Sequence, residues 1–192
     1  ADATNTMGMF GSTTQLQQGF IPTGQNGTPA APDTFSTTLY YNSEDGSDWL
    51  VRCSLPGSTD DDMFVFNGAV IAQEGAVPAG SSFTSPVDAG GLGIAVLMHN
   101  GDWFARASND DGEDWIMRNG VVLATTGDPI TTGDTELFDD TETADCFNFM
   151  QGNGKGEYPT IEAYAFEQEI VFAHDGRSFL HYFSRAWVTN ED

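Results

Sequence analysis

Two-residue corners of the type Asn-Gly and Asp-Gly recur along this chain at regular intervals, and no other feature limits its fold as much. One series falls at Asp45-Gly46, Asn100-Gly101 and Asn153-Gly154, with spacings of 55 and 53 residues. The other falls at Asn67-Gly68, Asn119-Gly120 and Asp175-Gly176, with spacings of 52 and 56. A type I′ hairpin turn needs positive φ at both central residues, which Asn, Asp and Gly tolerate best. The corners stand between short runs rich in β-branched and aromatic residues. The runs are Asp62–Phe66 with Ala69–Gln73, Gly93–Met98 with Asp102–Arg106, Asp114–Arg118 with Val121–Thr125, and Glu169–Ala173 with Ser178–Phe183. Such pairs read as antiparallel hairpins. No stretch keeps its apolar residues at helical spacing.

Side chains repeat with the corners. An acid precedes an aromatic at Asp48-Trp49, Asp102-Trp103 and Glu157-Tyr158, and Arg52 and Arg106 follow in the first two copies. A Gly/Pro connector appears as Gly19–Gly24, Gly75–Gly80 and Gly127–Gly133. Two hairpins per period make a four-stranded antiparallel unit, and tandem units of this kind are the pattern of propeller blades. The expected architecture is therefore all-β and propeller-like, with a β-sandwich as the alternative. The expected organisation is one domain. It has an N-terminal half-unit and connector at 1–36, then units at 37–80, 92–133 and 145–189. A lone unit leaves an apolar face uncovered, so neighbours must stack. The half-unit at 1–18 is expected to pair with strands near 177–189 or with a second subunit, because free strand edges recruit strands.

The sequence holds 29 acids against 6 Lys and Arg, a net charge of −23. That field repels phosphate, which argues against nucleic acid and anionic lipid as partners. No apolar window is long enough for membrane insertion. The 14 Phe, 5 Tyr and 4 Trp argue for a packed core rather than disorder. Self-repulsion on this scale is relieved by salt or by bound divalent cations. The expected setting is therefore saline or calcium-containing, extracellular or at the cell surface.

Several groups could carry chemistry. Calcium takes about six to eight oxygens from carboxylates and turn carbonyls. Asp60, Asp62, Asp110, Asp111 and Glu113 are candidate calcium ligands on that ground, with solvated acidic loops as the plainer reading. Trp49, Trp103 and Tyr158 occupy equivalent positions. They are either anchors between stacked units or rings that stack on a sugar, which makes them candidate ligand-binding residues. Cys53 and Cys146 lie 93 residues apart and match no metal motif. A disulfide and two buried thiols both remain open for them. His99, His174 and His181 show no metal-ligand spacing, and no nucleophile elbow is present. No catalytic residue is singled out. Asn26-Gly27-Thr28, in a connector rich in Pro, Gly and Thr, is a glycosylation sequon.

The stretches Phe66–Gly75 and Arg118–Pro129 resemble the NG-x-V-[VI]-A-x-x-GDP repeats of large secreted bacterial proteins, known especially from planctomycetes. His99–Trp103 is similar to their NNNGD hairpins. The resemblance covers about residues 60–135. It implies a propeller-like extracellular protein and no catalytic residue. The function expected from the sequence is a non-enzymatic structural or adhesive protein that self-associates through strand edges. It would form a homo-oligomer or filament and use no cofactor, or calcium. The alternatives are a carbohydrate- or calcium-dependent binding module, with glycans as partners, and a virion surface component.

Overall fold

A computed structural model describes residues 7–10, 13–17, 19–43, 45–57, 62–78, 81–129, 138, 147–151, 160–165, 168–172, 178–181 and 187–189, those after Phe147 as backbone. The described elements are fifteen strands, all paired antiparallel, and the all-β expectation holds. Strands β1 (Met7–Phe10) and β2 (Thr13–Gln17) form a hairpin. Strands β3 (Thr34–Asn42), β4 (Trp49–Ser54), β5 (Asp62–Phe66) and β6 (Ala69–Gln73) form the first four-stranded sheet, in chain order. The second sheet repeats that order with β7 (Val87–Leu97), β8 (Trp103–Asn109), β9 (Asp114–Arg118) and β10 (Val121–Thr125). The third holds β11 (Phe147–Gln151), β12 (Thr160–Ala165), β13 (Gln168–Phe172), β14 (Ser178–His181) and β15 (Trp187–Thr189).

The corners close as their residue types require. Asn67 and Asn119 sit at φ 48° and 49°, followed by Gly68 and Gly120 at 86° and 84°. Each Asn also locks its hairpin to the preceding strand. Asn67 Oδ1 accepts the Trp49 N–H at 2.8 Å, and its Nδ2 donates to Asp48 at 2.6 Å. Asn119 Oδ1 accepts the Trp103 N–H at 2.9 Å, and its Nδ2 donates to Asp102 at 2.5 Å. The recurrent acid–aromatic pair is thus one half of a clamp whose other half is the corner Asn.

Side chains alternate across a strand, and in these sheets both faces are apolar. Trp49, Val51, Cys53, Met63 and Val65 pack with Leu16 of β2. Leu50, Phe64 and Ala72 point the other way and meet Leu92, Ala95, Leu97, Trp103, Ala105, Trp115 and Met117 of the second sheet. Strand β11 packs in turn against β7 and β9, with Phe147 fully buried and its ring 5.2 Å from that of Phe138. Hairpin, first sheet and second sheet therefore stack in chain order, and β11 continues the series. Full burial of one large apolar residue stabilises by about 1.5–3 kcal/mol.

Of the two pairings expected for residues 1–18, the one with strands near 177–189 does not occur among the described strands: β1 and β2 pair with each other and not with β14 or β15. Leu16 is committed to the first sheet, and Tyr40 holds Gln15 by a hydrogen bond of 2.5 Å. The segment that follows runs along the outer edge of β6. Thr23 N–H donates to Gly68 O at 2.9 Å, and Val70 N–H donates to Thr23 O at 2.9 Å.

The clamp predicts a graded response at Asn67. Asn67→Gly keeps the positive φ but removes both side-chain bonds, and should lower stability by about 1–2 kcal/mol. Asn67→Ala adds left-handed strain of roughly 1–2 kcal/mol and should lie lower still. Urea unfolding reads both, and an unchanged midpoint for Asn67→Gly would remove the clamp's role.

Candidate functional site

Two groupings of titratable residues among those described border on open space or on a buried seam. The first borders an open cleft of about 390 Å³ between the β3–β4 turn and the β7–β8 turn, lined by Ser43, Asp45, Ser47, Asp48, His99, Asn100 and Gly101. Asp45 accepts the Ser47 N–H at 2.9 Å and the hydroxyls of Ser47 and Ser43 at 2.7 and 2.9 Å. These bonds, the Ser47 amide first, bring its carboxyl down to about 2. A Cβ at Gly101 would lie 2.5 Å from Asp48 Oδ2, so only glycine lets the second turn close against that carboxylate. His99 lies at the rim, exposed.

The second lies at the seam between the first two sheets, just past the end of β6. Glu74 is 3% exposed. It accepts the Gly90 N–H at 2.9 Å and the Asp62 N–H at 3.3 Å. Asp62 is held by the Arg52 guanidinium and by the Ser54 hydroxyl. Arg52 Nη1 also donates to Gly93 O at 3.3 Å, across the seam. Burial raises the Glu74 carboxyl above its ordinary range, and the Asp62 charge adds to this. The two amide bonds and Arg52 oppose it in part. Sequence reasoning missed Glu74. Its signal lay in the mismatch between copies, because the equivalent position in the second sheet holds Thr126, whose hydroxyl accepts the Asp114 N–H at 3.1 Å.

The residues picked from the sequence are scattered. Trp49 and Trp103 are 8% and 7% exposed, inside the two apolar clusters, so neither offers a ring face to a sugar. Their rings meet Phe20 and Phe66, each at 6.3 Å. Tyr158 lies outside the described residues. Asp62 is committed to Arg52. Asp110 and Asp111 are exposed, and Glu113 accepts from Asn109 Nδ2 at 2.8 Å. Asp60 lies outside the described residues, and no cluster of metal-ligating groups occurs among those described. Cys53 is a free, buried thiol, pushed up to about 12 by burial and by Asp62. The other cysteine, Cys146, lies outside the described residues, as does His174. His181 is on β14, where the backbone register pairs it with Glu169 and Trp187. No helix among the described residues is long and apolar enough to cross a membrane.

Comparison with known proteins bears on the end of the chain. The family described as the THAP4-like, heme-binding beta-barrel domain matches residues 150–192. A peroxynitrite isomerase of Nocardioides sp. is 58% identical over 40 residues, covering 21% of this chain and 24% of the relative. A peroxynitrite isomerase of Salinispora tropica is 58% identical over 41 residues, 21% of each. A ferric nitrobindin-like protein of Saccharopolyspora erythraea is 53% identical over 38 residues, 19% of this chain and 18% of the relative. The chain thus spans about a quarter or less of the length of the curated relatives it matches. No solved structure matches it.

These matches overturn several expectations. The matches found are a heme-binding beta-barrel family and relatives named peroxynitrite isomerase and ferric nitrobindin-like protein, not the secreted planctomycete-type repeats inferred from Phe66–Gly75 and Arg118–Pro129. The physical reason is that Asn-Gly corners and Gly/Pro connectors are what any antiparallel hairpin series needs. They report turn geometry rather than ancestry. The structural or adhesive, non-enzymatic reading is corrected as well, since the relatives are named for an enzyme activity and for nitrobindin. The cofactor that the matched family implies is heme, in place of none or calcium.

The first two sheets and the cleft beside them do not fit heme. Heme iron takes an axial His, Cys, Met or Tyr, and its macrocycle needs an apolar pocket. The cleft beside His99 is open and lined by carboxylates, where heme propionates would meet like charge. The apolar space between the sheets is filled by Leu50, Phe64, Trp103 and Trp115.

Glu74 gives the described region a defined pH response. A folded-state carboxyl raised above its ordinary 4.5 takes up protons on folding. Its contribution is therefore most favourable below that value and declines as pH rises through the raised one. Glu74→Gln imitates the protonated form. It should match the parent in acid and become relatively more stable as pH climbs above about 4.5. Thermal melts across pH read this, and a difference that stays constant with pH would refute it.

Proposed function

We propose that this chain is a heme-associated protein in which residues 150–192 supply strands to a heme-binding β-barrel, with peroxynitrite isomerisation as the activity of the loaded form. The observation that carries this reading is the 58% identity over 40 residues to a peroxynitrite isomerase. The family match at the end of the chain supports it. In this reading the sheets at 34–73 and 87–125 are a propeller-like scaffold that holds no heme. Their filled core and acidic cleft support that division. His174 and His181 fall in the matched stretch and are the imidazoles available there as iron ligands.

Titration of the full chain with ferric heme tests the reading. The expected result is a saturable Soret band that is shifted or lost when His174 and His181 are both replaced by Ala. The heme-loaded protein should also speed peroxynitrite decay. A titration that never saturates, or one the double replacement leaves unaltered, overturns the proposal.

A further inference from the structure

Four Asn-Gly pairs lie among the described residues, at Asn26, Asn67, Asn100 and Asn119, and their surroundings differ in a way that singles out one of them. An Asn-Gly pair is open to a spontaneous reaction in which the glycine amide nitrogen attacks the Asn Cγ. A bond forms between that nitrogen and Cγ, the Cγ–Nδ2 bond breaks, and ammonia leaves a five-membered succinimide. Water then opens the ring at either carbonyl and gives Asp or isoAsp. The reaction needs an Asn amide free to swing toward the next residue and a glycine nitrogen not already engaged.

Three of the four are restrained. Asn67 and Asn119 are held at both ends of the side-chain amide by the clamp bonds, and both sit in left-handed backbone. Asn100 Oδ1 accepts the Asp102 N–H at 3.0 Å, and its Nδ2 donates to Asp102 at 2.9 Å. The attacking group there is engaged too, because Gly101 N–H donates to Met98 O at 3.0 Å. All four Asn are exposed, and Asn26 differs in its tether: its amide is tied at one end only, from Nδ2 to Gly75 O at 3.0 Å. Gly27 N–H makes no backbone hydrogen bond among the described residues, unlike Gly101 N–H, and nothing lies within 4 Å of where a Gly27 Cβ would stand, an openness it shares with Gly120 but not with Gly68 or Gly101.

We propose that Asn26-Gly27 is a deamidation site whose conversion frees the segment at residues 20–30 from the outer edge of β6. Asn26 is where that segment is fastened to the far end of the strand. Besides the bond to Gly75 O, its backbone N–H donates to Gln73 Oε1 at 2.9 Å. Conversion replaces the donating Nδ2 with a carboxylate oxygen that faces the Gly75 carbonyl, so an attraction becomes a repulsion. The isoAsp product also adds a methylene to the backbone between the Asn26 N–H and Gly27. Either change works against the neighbouring bonds of Thr23 with Gly68 and Val70, and leaves the β6 edge open to water.

The test is timed incubation of the full chain in mildly alkaline buffer, followed by peptide mapping that resolves Asn, Asp and isoAsp. Amide exchange at Val70 is followed on the same samples. The expected result is conversion at Asn26 severalfold faster than at Asn67, Asn100 or Asn119, with Val70 exchange rising in step. Asn26→Asp should show the faster Val70 exchange from the start, and Asn26→Gln should block both changes. Equal rates at the four positions, an unmodified Asn26, or conversion without any change at Val70 would overturn the proposal.

Discussion

Both faces of each four-stranded sheet are apolar, and that constraint orders the described part of the molecule. An antiparallel sheet can leave one face to water. These cannot, because β4 buries Trp49, Val51 and Cys53 on one side and Leu50 on the other. Every sheet must then be covered twice, once by the unit before it and once by the unit after it. Leu16 covers the first sheet from one side and Trp103 covers it from the other. Register is the weak point of such a stack, since a slip of one residue exchanges the two faces. In β4 a slip would send Arg52 toward Leu16 and Trp49 into the seam. The Asn67 and Asn119 clamps oppose that slip, because each ties a corner to the first residue of the strand before it.

Charge is arranged around this stack. With 6 Lys and Arg for 29 acids, most carboxylates have no cationic residue to pair with. Two half-buried carboxylates are paired with arginine. Arg52 holds Asp62 at the seam between the first two sheets. Arg118 holds Asp102 at 2.5 Å and lies over the Phe104 ring at 5.7 Å. Burial works against ionised Asp102. Bonds from Asn119, Arg118 and Asn100 outweigh it and keep that carboxyl below its usual range. Glu74, more deeply buried than either, is answered chiefly by backbone amides. A buried pair stabilises little compared with an apolar substitute, and Thr126 makes the equivalent contact without a charge. The two seams are thus built from one template, and at this position only the first is ionisable.

Much of the hairpin pattern was legible because turn chemistry is local. The positive φ at Asn67 and Asn119 is a property of two residues, and the strands on either side follow from alternation. What escaped was everything that depends on distant partners. The run of residues 20–26 along β6 rests on hydrogen bonds between positions some 45 residues apart, and no periodicity encodes them. The burial of Glu74 depends on a backbone amide of β7. The acid clusters drew attention to calcium because composition shows carboxylates and hides their partners. Asp62 already had Arg52 and Ser54. The match of residues 150–192 to a heme-binding family was illegible for a different reason. An iron site needs one well-placed axial ligand and a shaped apolar pocket, and neither leaves a spacing to count along a sequence.

The stretch that the family matches starts inside a strand. The family match begins at residue 150, while β11 spans Phe147–Gln151. Phe147 is fully buried against Phe138, and β11 packs on β7 and β9. From Phe147 to Gln151 the same strand pairs with β12, from Ala163 back to Thr160. Adjacent residues of a paired strand share one backbone ladder, so the stacked sheets and the matched stretch cannot be reordered independently at this point. A change in the pairing of β11 with β12 acts directly on the seat of Phe147, and through it on the second sheet. The start of the matched stretch therefore lies in a strand that packs on the second sheet.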